Sequence, residues 1–109
     1  MKLIKMLNDK IEATNSERFY QKGHFYKISK VDDIYNLTDY LPAGCASYYN
    51  APSIKFKVNN ESIELVSYLD NSVSPTVSLD FSSVAVDSYD EKMFELQGMI
   101  NDLLQEELF

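Results

Sequence analysis

The sequence predicts an α+β domain: an antiparallel sheet of about five strands, with N-terminal and C-terminal helices packed on one face. Three observations lead there. Apolar residues recur with helical spacing at both ends of the chain. Between the ends they alternate with polar residues, in runs broken by Gly, Asn and Pro. The alternate positions of 54–58 and 73–81 are polar, which suits a sheet with one wet face.

Residues 2–14 predict the first helix. Leu3, Ile4, Leu7 and Ile11 share a face, and Lys5, Asp9 and Glu12 point away. Asn15-Ser16 ends the pattern. Residues 18–29 predict a hairpin, with Arg18-Phe19-Tyr20-Gln21 and His24-Phe25-Tyr26-Lys27-Ile28 flanking a Lys22-Gly23 turn. Its aromatics interleave with Arg18, Lys22, His24, Lys27 and Lys30, the composition of a single-strand nucleic-acid platform. Aromatic strand formers with one buried face give the same pattern, and the net charge of −7 opposes direct nucleic-acid binding.

Residues 31–41 read as a short helix, with Ile34, Leu37 and Leu41 on one side, Asp32-Asp33 as its cap and Pro42 as its stop. Residues 42–52 form the longest irregular stretch. Within it, Tyr48 and Tyr49 are candidate contacts for a protein partner. Residues 54–58 and 61–69 predict a second hairpin about Asn59-Asn60, with Lys55 and Lys57 facing Glu61 and Glu64 on its outer side. Residues 73–86 read as the longest strand. Val73, Val77, Leu79 and Phe81 keep one phase, Val84 and Val86 the other, and a bulge at Ser82-Ser83 reconciles them. Pro75 places this strand at an edge or starts it after the proline.

Residues 88–109 predict the longest helix. Ser88 and Glu91 fit a capping box, and Asp87 and Asp90 suit the positive end of the helix dipole. Tyr89, Met93, Leu96, Ile100, Leu103 and Leu104 form the apolar face. On the opposite side Glu91, Glu95, Asp102 and Glu106 fall within about 60° of one another, along roughly 22 Å of axis. Like charges at i,i+4 cost a few tenths of a kcal/mol per pair. Gly98 on the same side costs about 1 kcal/mol relative to Ala. A solvated face tolerates such a stripe; a surface shaped for a basic partner explains it.

The chain of 109 residues suits one domain, and 45% apolar residues suffice for a core. Residues 1–57 carry 9 Lys and Arg against 6 Asp and Glu, a net +3; residues 58–109 carry 1 against 11, a net −10. Such asymmetry between halves points to an interaction surface. The one cysteine, Cys45, permits no internal disulfide and fits a reducing compartment. No signal peptide or transmembrane span is expected, so the location expected is cytoplasmic, in the host if the gene is phage-borne. Lys outnumbers Arg 9 to 1, the codon signature of an AT-rich bacterial or phage genome.

No catalytic motif is present. His24 and Cys45 are single, and no spacing suits a metal site. The three glycines are isolated, so no phosphate loop is expected, and no cofactor. The leading expectation is a small, acidic, non-enzymatic protein-binding module. An inhibitor of the phage anti-defence or immunity type would present carboxylates to a basic nucleic-acid-binding partner. Its candidate contacts are Asp87, Asp90, Glu91, Glu95, Asp102 and Glu106, with Tyr48 and Tyr49. A second expectation is a phage structural subunit forming homo-oligomeric rings. The order Pro52, short strand, long strand, last helix over 52–109 resembles that of siphophage tail-terminator proteins. A third is a small-molecule-binding or enzymatic domain, with the 42–52 loop and Cys45 lining its pocket.

Overall fold

A computed structural model describes residues 2–60, 62–81 and 88–109. Helix α1 (Lys2–Thr14) leads into six strands: β1 (Phe19–Gln21), β2 (His24–Val31), β3 (Ile34–Gly44), β4 (Ser47–Asn59), β5 (Ser62–Asp70) and β6 (Val77–Asp80). Helix α2 (Tyr89–Leu104) follows. Every strand pairs antiparallel with its neighbour in sequence, so the sheet order is β1-β2-β3-β4-β5-β6. The α+β expectation holds, with six strands rather than about five.

Alternation decides which side of the sheet is covered. Tyr26 and Ile28 of β2, Tyr35 and Leu37 of β3, and Ile54 and Phe56 of β4 are buried in one core. The register sets Leu37 between Ile28 and Ile54. Leu65 and Tyr68 continue this layer on β5, where a register shift opposite Lys55 and Phe56 admits Val66 as an extra residue. The helices close the same face. α1 buries Leu3 and Leu7, and α2 buries Leu96, Met99, Ile100 and Leu103. Burying a side chain of this size contributes about 1.5–3 kcal/mol, so these six residues account for the helices' attachment.

Polar ties fix the helices to the sheet. The Tyr35 hydroxyl donates to Asn8 Oδ1 at 2.9 Å, from β3 to α1. The Leu65 amide, freed by the bulge, donates to the Tyr89 hydroxyl at 3.0 Å, from β5 to α2. Gln21 Nε2 donates to the carbonyls of Asp102 and Leu103 at 2.8 and 3.1 Å, from β1 to the last turn of α2.

The first hairpin matches expectation: Gln21 pairs with His24, and Lys22-Gly23 turns the chain with φ of 48° and 87°. The second turns one residue later than Asn59-Asn60, since Asn59 pairs with Ser62. Residues 31–41 are not helical. Their spacing of Ile34, Leu37 and Leu41 fits a helix, but Tyr35 and Leu37 also alternate, and pairing on both sides resolves the conflict for strand. Asp32-Asp33 therefore make the β2–β3 turn rather than a cap. The expected irregular stretch 42–52 is the end of a long hairpin. Gly44 pairs with Ser47 around Cys45-Ala46, both left-handed at φ 50° and 62°. Its prolines sit where the ladder tolerates them: Pro42 near the tip and Pro52 in the irregularity between Asn50 and Ser53. Strand β6 begins after Pro75, at the sheet edge, and covers Val77–Asp80; residues 73–76 of the expected strand are not part of it, and its part beyond Phe81 lies outside the described residues. The expected bulge at Ser82-Ser83 lies outside the described residues.

Candidate functional site

Helix α2 presents its outer surface without cover from any described element. Its start differs from expectation, for Ser88 caps the helix without a side-chain hydrogen bond. Asp90 and Glu91 are exposed in the first turn, where the dipole favours them. Glu91 Oε1 lies 3.2 Å from Lys92 Nζ, which itself sits 4.5 Å over the Tyr68 ring. Asp102 is exposed near the other end, and Glu106 follows the helix.

Glu95 leaves the expected stripe. Its carboxylate accepts a hydrogen bond from the Tyr68 hydroxyl, and its Oε1 is buried with no hydrogen-bond partner among the described residues. Burial, then this hydrogen bond, push the Tyr68 phenol well above its ordinary pKa. At 100° per residue Glu95 lies on the flank of the wheel, between the Leu96 face and the outside. It serves the helix–sheet contact instead of the outer surface. Asp87 lies outside the described residues.

What occupies the centre of the outer surface is apolar. Phe94 is 79% exposed, the most exposed large hydrophobic residue among those described. Gly98, one turn on, meets nothing within 4 Å where a Cβ would stand. Phe94, Gln97, Gly98, Asn101 and Phe109 enclose a hollow of about 110 Å³. Asn101 builds this hollow. Its Oδ1 accepts from the amides of Leu108 and Phe109 at 2.8 and 3.2 Å, and its Nδ2 donates to the Phe109 carbonyl at 3.3 Å. Gln105 turns the chain at φ 55°, and the Glu106 amide donates to the Asn101 carbonyl at 3.1 Å. Residues 105–109 are thus folded back on α2, bringing Phe109 to the hollow.

A second, larger depression adjoins the first, with Asn101 in the wall of both. It measures about 330 Å³ and lies between the β1–β2 turn and the end of α2. The strands supply Gln21, His24 and Tyr26 to it; the helix end supplies Asp102, Glu106 and Glu107. His24 Nδ1 is 2.9 Å from Asp39 Oδ2, and its ring stacks on Tyr26 at 5.3 Å between centroids. Burial raises the Asp39 carboxyl; His24 pulls it back, and Asp102 pushes it further up. Burial first, then Asp39 and Asp102, raise the Tyr26 phenol, so it stays protonated and neutral.

Tyr48 and Tyr49 are not part of either depression. Tyr48 packs on the other side of the sheet, against Phe25 at 5.6 Å and Tyr40 at 5.9 Å, with the Arg18 guanidinium 3.8 Å above its ring. Tyr49 is 43% exposed on the projecting hairpin, opposite Leu41. Cys45 is exposed at that hairpin's turn, while His24 is held by Asp39, so no Cys–His pair forms. The basic and aromatic residues of 18–30 divide between the two faces: Phe19 and Tyr26 pack toward the helices, Tyr20 and Phe25 away. Among the described residues no group of three or more His, Cys, Asp or Glu is placed to hold a metal ion. No helix among them is long and apolar enough to cross a membrane.

Sequence reasoning missed Phe94, Asn101, Gln21 and Asp39. Phe94 did carry a signal, as an aromatic on the polar side of the wheel. The roles of Asn101 and Gln21 depend on partners 7 and 81 residues away and left none. Comparison with protein-family models, with curated proteins and with solved structures returns no match.

Proposed function

We propose that this protein is a non-enzymatic binding module, acting in the cytoplasm, whose α2 outer surface docks a protein with a basic, phosphate-binding groove. The observation that carries this reading is Phe94, 79% exposed beside the open Gly98 notch. An aromatic anchor set in a polar rim is the composition of an interface hot spot. Glu91, Asp102 and Glu106 supply the rim, and their charge matches a groove built for phosphates. Glu91 and Asp102 stand about 16 Å apart along the axis, at about 1.5 Å per residue. That span suits carboxylates standing in for separated backbone phosphates. An inhibitor of the anti-defence or immunity kind has this economy of means.

The test is capture from host lysate by tagged protein at about 0.05 M and about 1 M salt, where the screening length falls to about 3 Å. Phe94→Ala and the triple change Glu91→Gln, Asp102→Asn, Glu106→Gln are run beside wild type. A nucleic-acid-binding protein retained by wild type at low salt, and lost with either variant, supports the reading. Capture indifferent to salt and to both variants refutes it.

Self-assembly is the second reading, favoured by one observation. By strand alternation Lys27, Lys55 and Lys57 share the sheet face opposite the helices, with Glu64 paired to Lys57, so that face carries more basic residues while α2 carries acidic ones. Head-to-tail contacts between copies would use both faces. Light scattering at high concentration and low salt that reports only monomer removes it.

A further inference from the structure

The cleft at the end of α2 has a construction the acidic surface alone does not require. Tyr26 is 1% exposed, yet it lines the cleft, and its hydroxyl hydrogen-bonds no described residue. A buried phenol normally finds a partner. Here the groups nearest in charge are Asp39 and Asp102. Glu106 and Glu107 stand at the mouth, held there by the Asn101 hydrogen bonds to residues 108 and 109. The last carbonyls of α2 add the negative end of its dipole. Among the residues that line the cleft the one cation is Lys22; Lys10, outside the lining, is bonded to Gln21 Oε1, and the His24 ring is already engaged by Asp39. The cleft is therefore rich in acceptors and poor in cations.

Its shape narrows the ligand. The His24 ring stacks within 16° of parallel on the buried Tyr26 ring and, itself half-exposed, offers a flat π face to the cleft. The acceptors come from three residues of the helix end, Asp102, Glu106 and Glu107, and from the Tyr26 hydroxyl of β2. An ammonium ion is a compact donor that suits a single focus. A guanidinium is planar, spreads five donors in a plane and lies flat on aromatic faces. We infer that this cleft is the receptor for one arginine side chain of the protein docked on α2, with Asp102 and Glu106 pairing the guanidinium and the His24 ring, backed by Tyr26, flooring it. The inference rests on the docking reading above and names its specificity pocket. The two depressions share Asn101, so an arginine seated in the cleft lies beside whatever residue covers Phe94.

The cleft is tested without the partner. Isotope-labelled protein is titrated with N-acetyl-arginine amide, N-acetyl-lysine amide and the neutral isostere N-acetyl-citrulline amide, watching the His24 ring and the Gln21 and Asn101 side-chain amides. Saturable shifts are expected with the arginine probe at millimolar concentration, at least fivefold weaker affinity with lysine, and none with citrulline. The shifts should vanish in Asp102→Asn/Glu106→Gln, whose exposed positions leave the fold intact by its amide spectrum. Absence of arginine shifts, equal response to lysine or citrulline, or shifts that survive in the double variant would each overturn the assignment. Because no partner is present, such a result leaves the Phe94→Ala capture experiment to judge the docking reading separately.

Discussion

The Gln21 side chain joins three elements by hydrogen bonds, and its removal should be felt well beyond its size. Its Nε2 donates to two carbonyls of the last turn of α2, at 2.8 and 3.1 Å, and its Oε1 accepts from Lys10 Nζ of α1 at 3.0 Å. A net hydrogen bond contributes about 0.5–1.5 kcal/mol, and the bond to Asp102 is solvent-exposed, so Gln21→Ala should cost about 1–2 kcal/mol. Urea unfolding followed by far-ultraviolet circular dichroism would read this as a lower midpoint at unchanged slope. Gln21→Glu separates the causes. It keeps the acceptor for Lys10 but loses both donors, and sets a negative charge against the helix end, worth about 0.3–1 kcal/mol. It should therefore lose as much as the alanine variant at neutral pH and recover part of that as the introduced carboxyl is protonated. Lys10→Ala should cost less than either. If Gln21→Ala stays within about 0.5 kcal/mol of wild type, the range of ordinary surface changes, Gln21 does not tie the two helices to β1.

Three further outcomes follow from the same geometry. Asn101→Ala should release residues 105–109: amide exchange at Leu108 and Phe109 should rise sharply, while overall stability changes little, because alanine's helix propensity returns about half a kcal/mol. Ala46→Gly should stabilise by about 0.5–1 kcal/mol in thermal unfolding, since a left-handed alanine at φ 62° carries a cost glycine avoids. Asp39 is held above the ordinary aspartate range by burial, so the folded state binds its proton more tightly than the unfolded one. Its contribution to stability therefore falls as pH rises from the unfolded value through the raised folded one. His24→Ala removes the group that lowers it, so carboxyl titration by carbon-13 resonance should move further upward.

The parts of the fold that were legible are those where one periodicity stood alone. Leu3, Leu7 and Ile11 fit only a helix, and Lys22-Gly23 between aromatic runs fits only a tight turn. Residues 34–44 were ambiguous because Leu37 belongs to both the three-four spacing of a helix and the alternation of a strand. What decides is Ile28 on one side and Ile54 on the other, long-range information that no window contains. Glu95 failed for a related reason. A helical wheel gives its angle but not the height of Tyr68 beneath it. The acidic character of the site was readable from charge spacing; its aromatic centre at Phe94 and its hollow floor depended on how residues 105–109 return to Asn101.

The strictly sequential strand order carries a consequence for how the molecule comes into being. Each pairing joins neighbours in the chain, so the sheet can be zipped hairpin by hairpin with small loops to close. The most distant event among the described residues is the docking of α2, which reaches back 81 residues to Gln21. A nascent chain that has emerged as far as Phe81 owns all six strands, yet its apolar layer is roofed only by α1. The surface proposed to greet a partner is thus laid down last, on top of a finished sheet. A molecule that displays it has, by that fact, completed its folding.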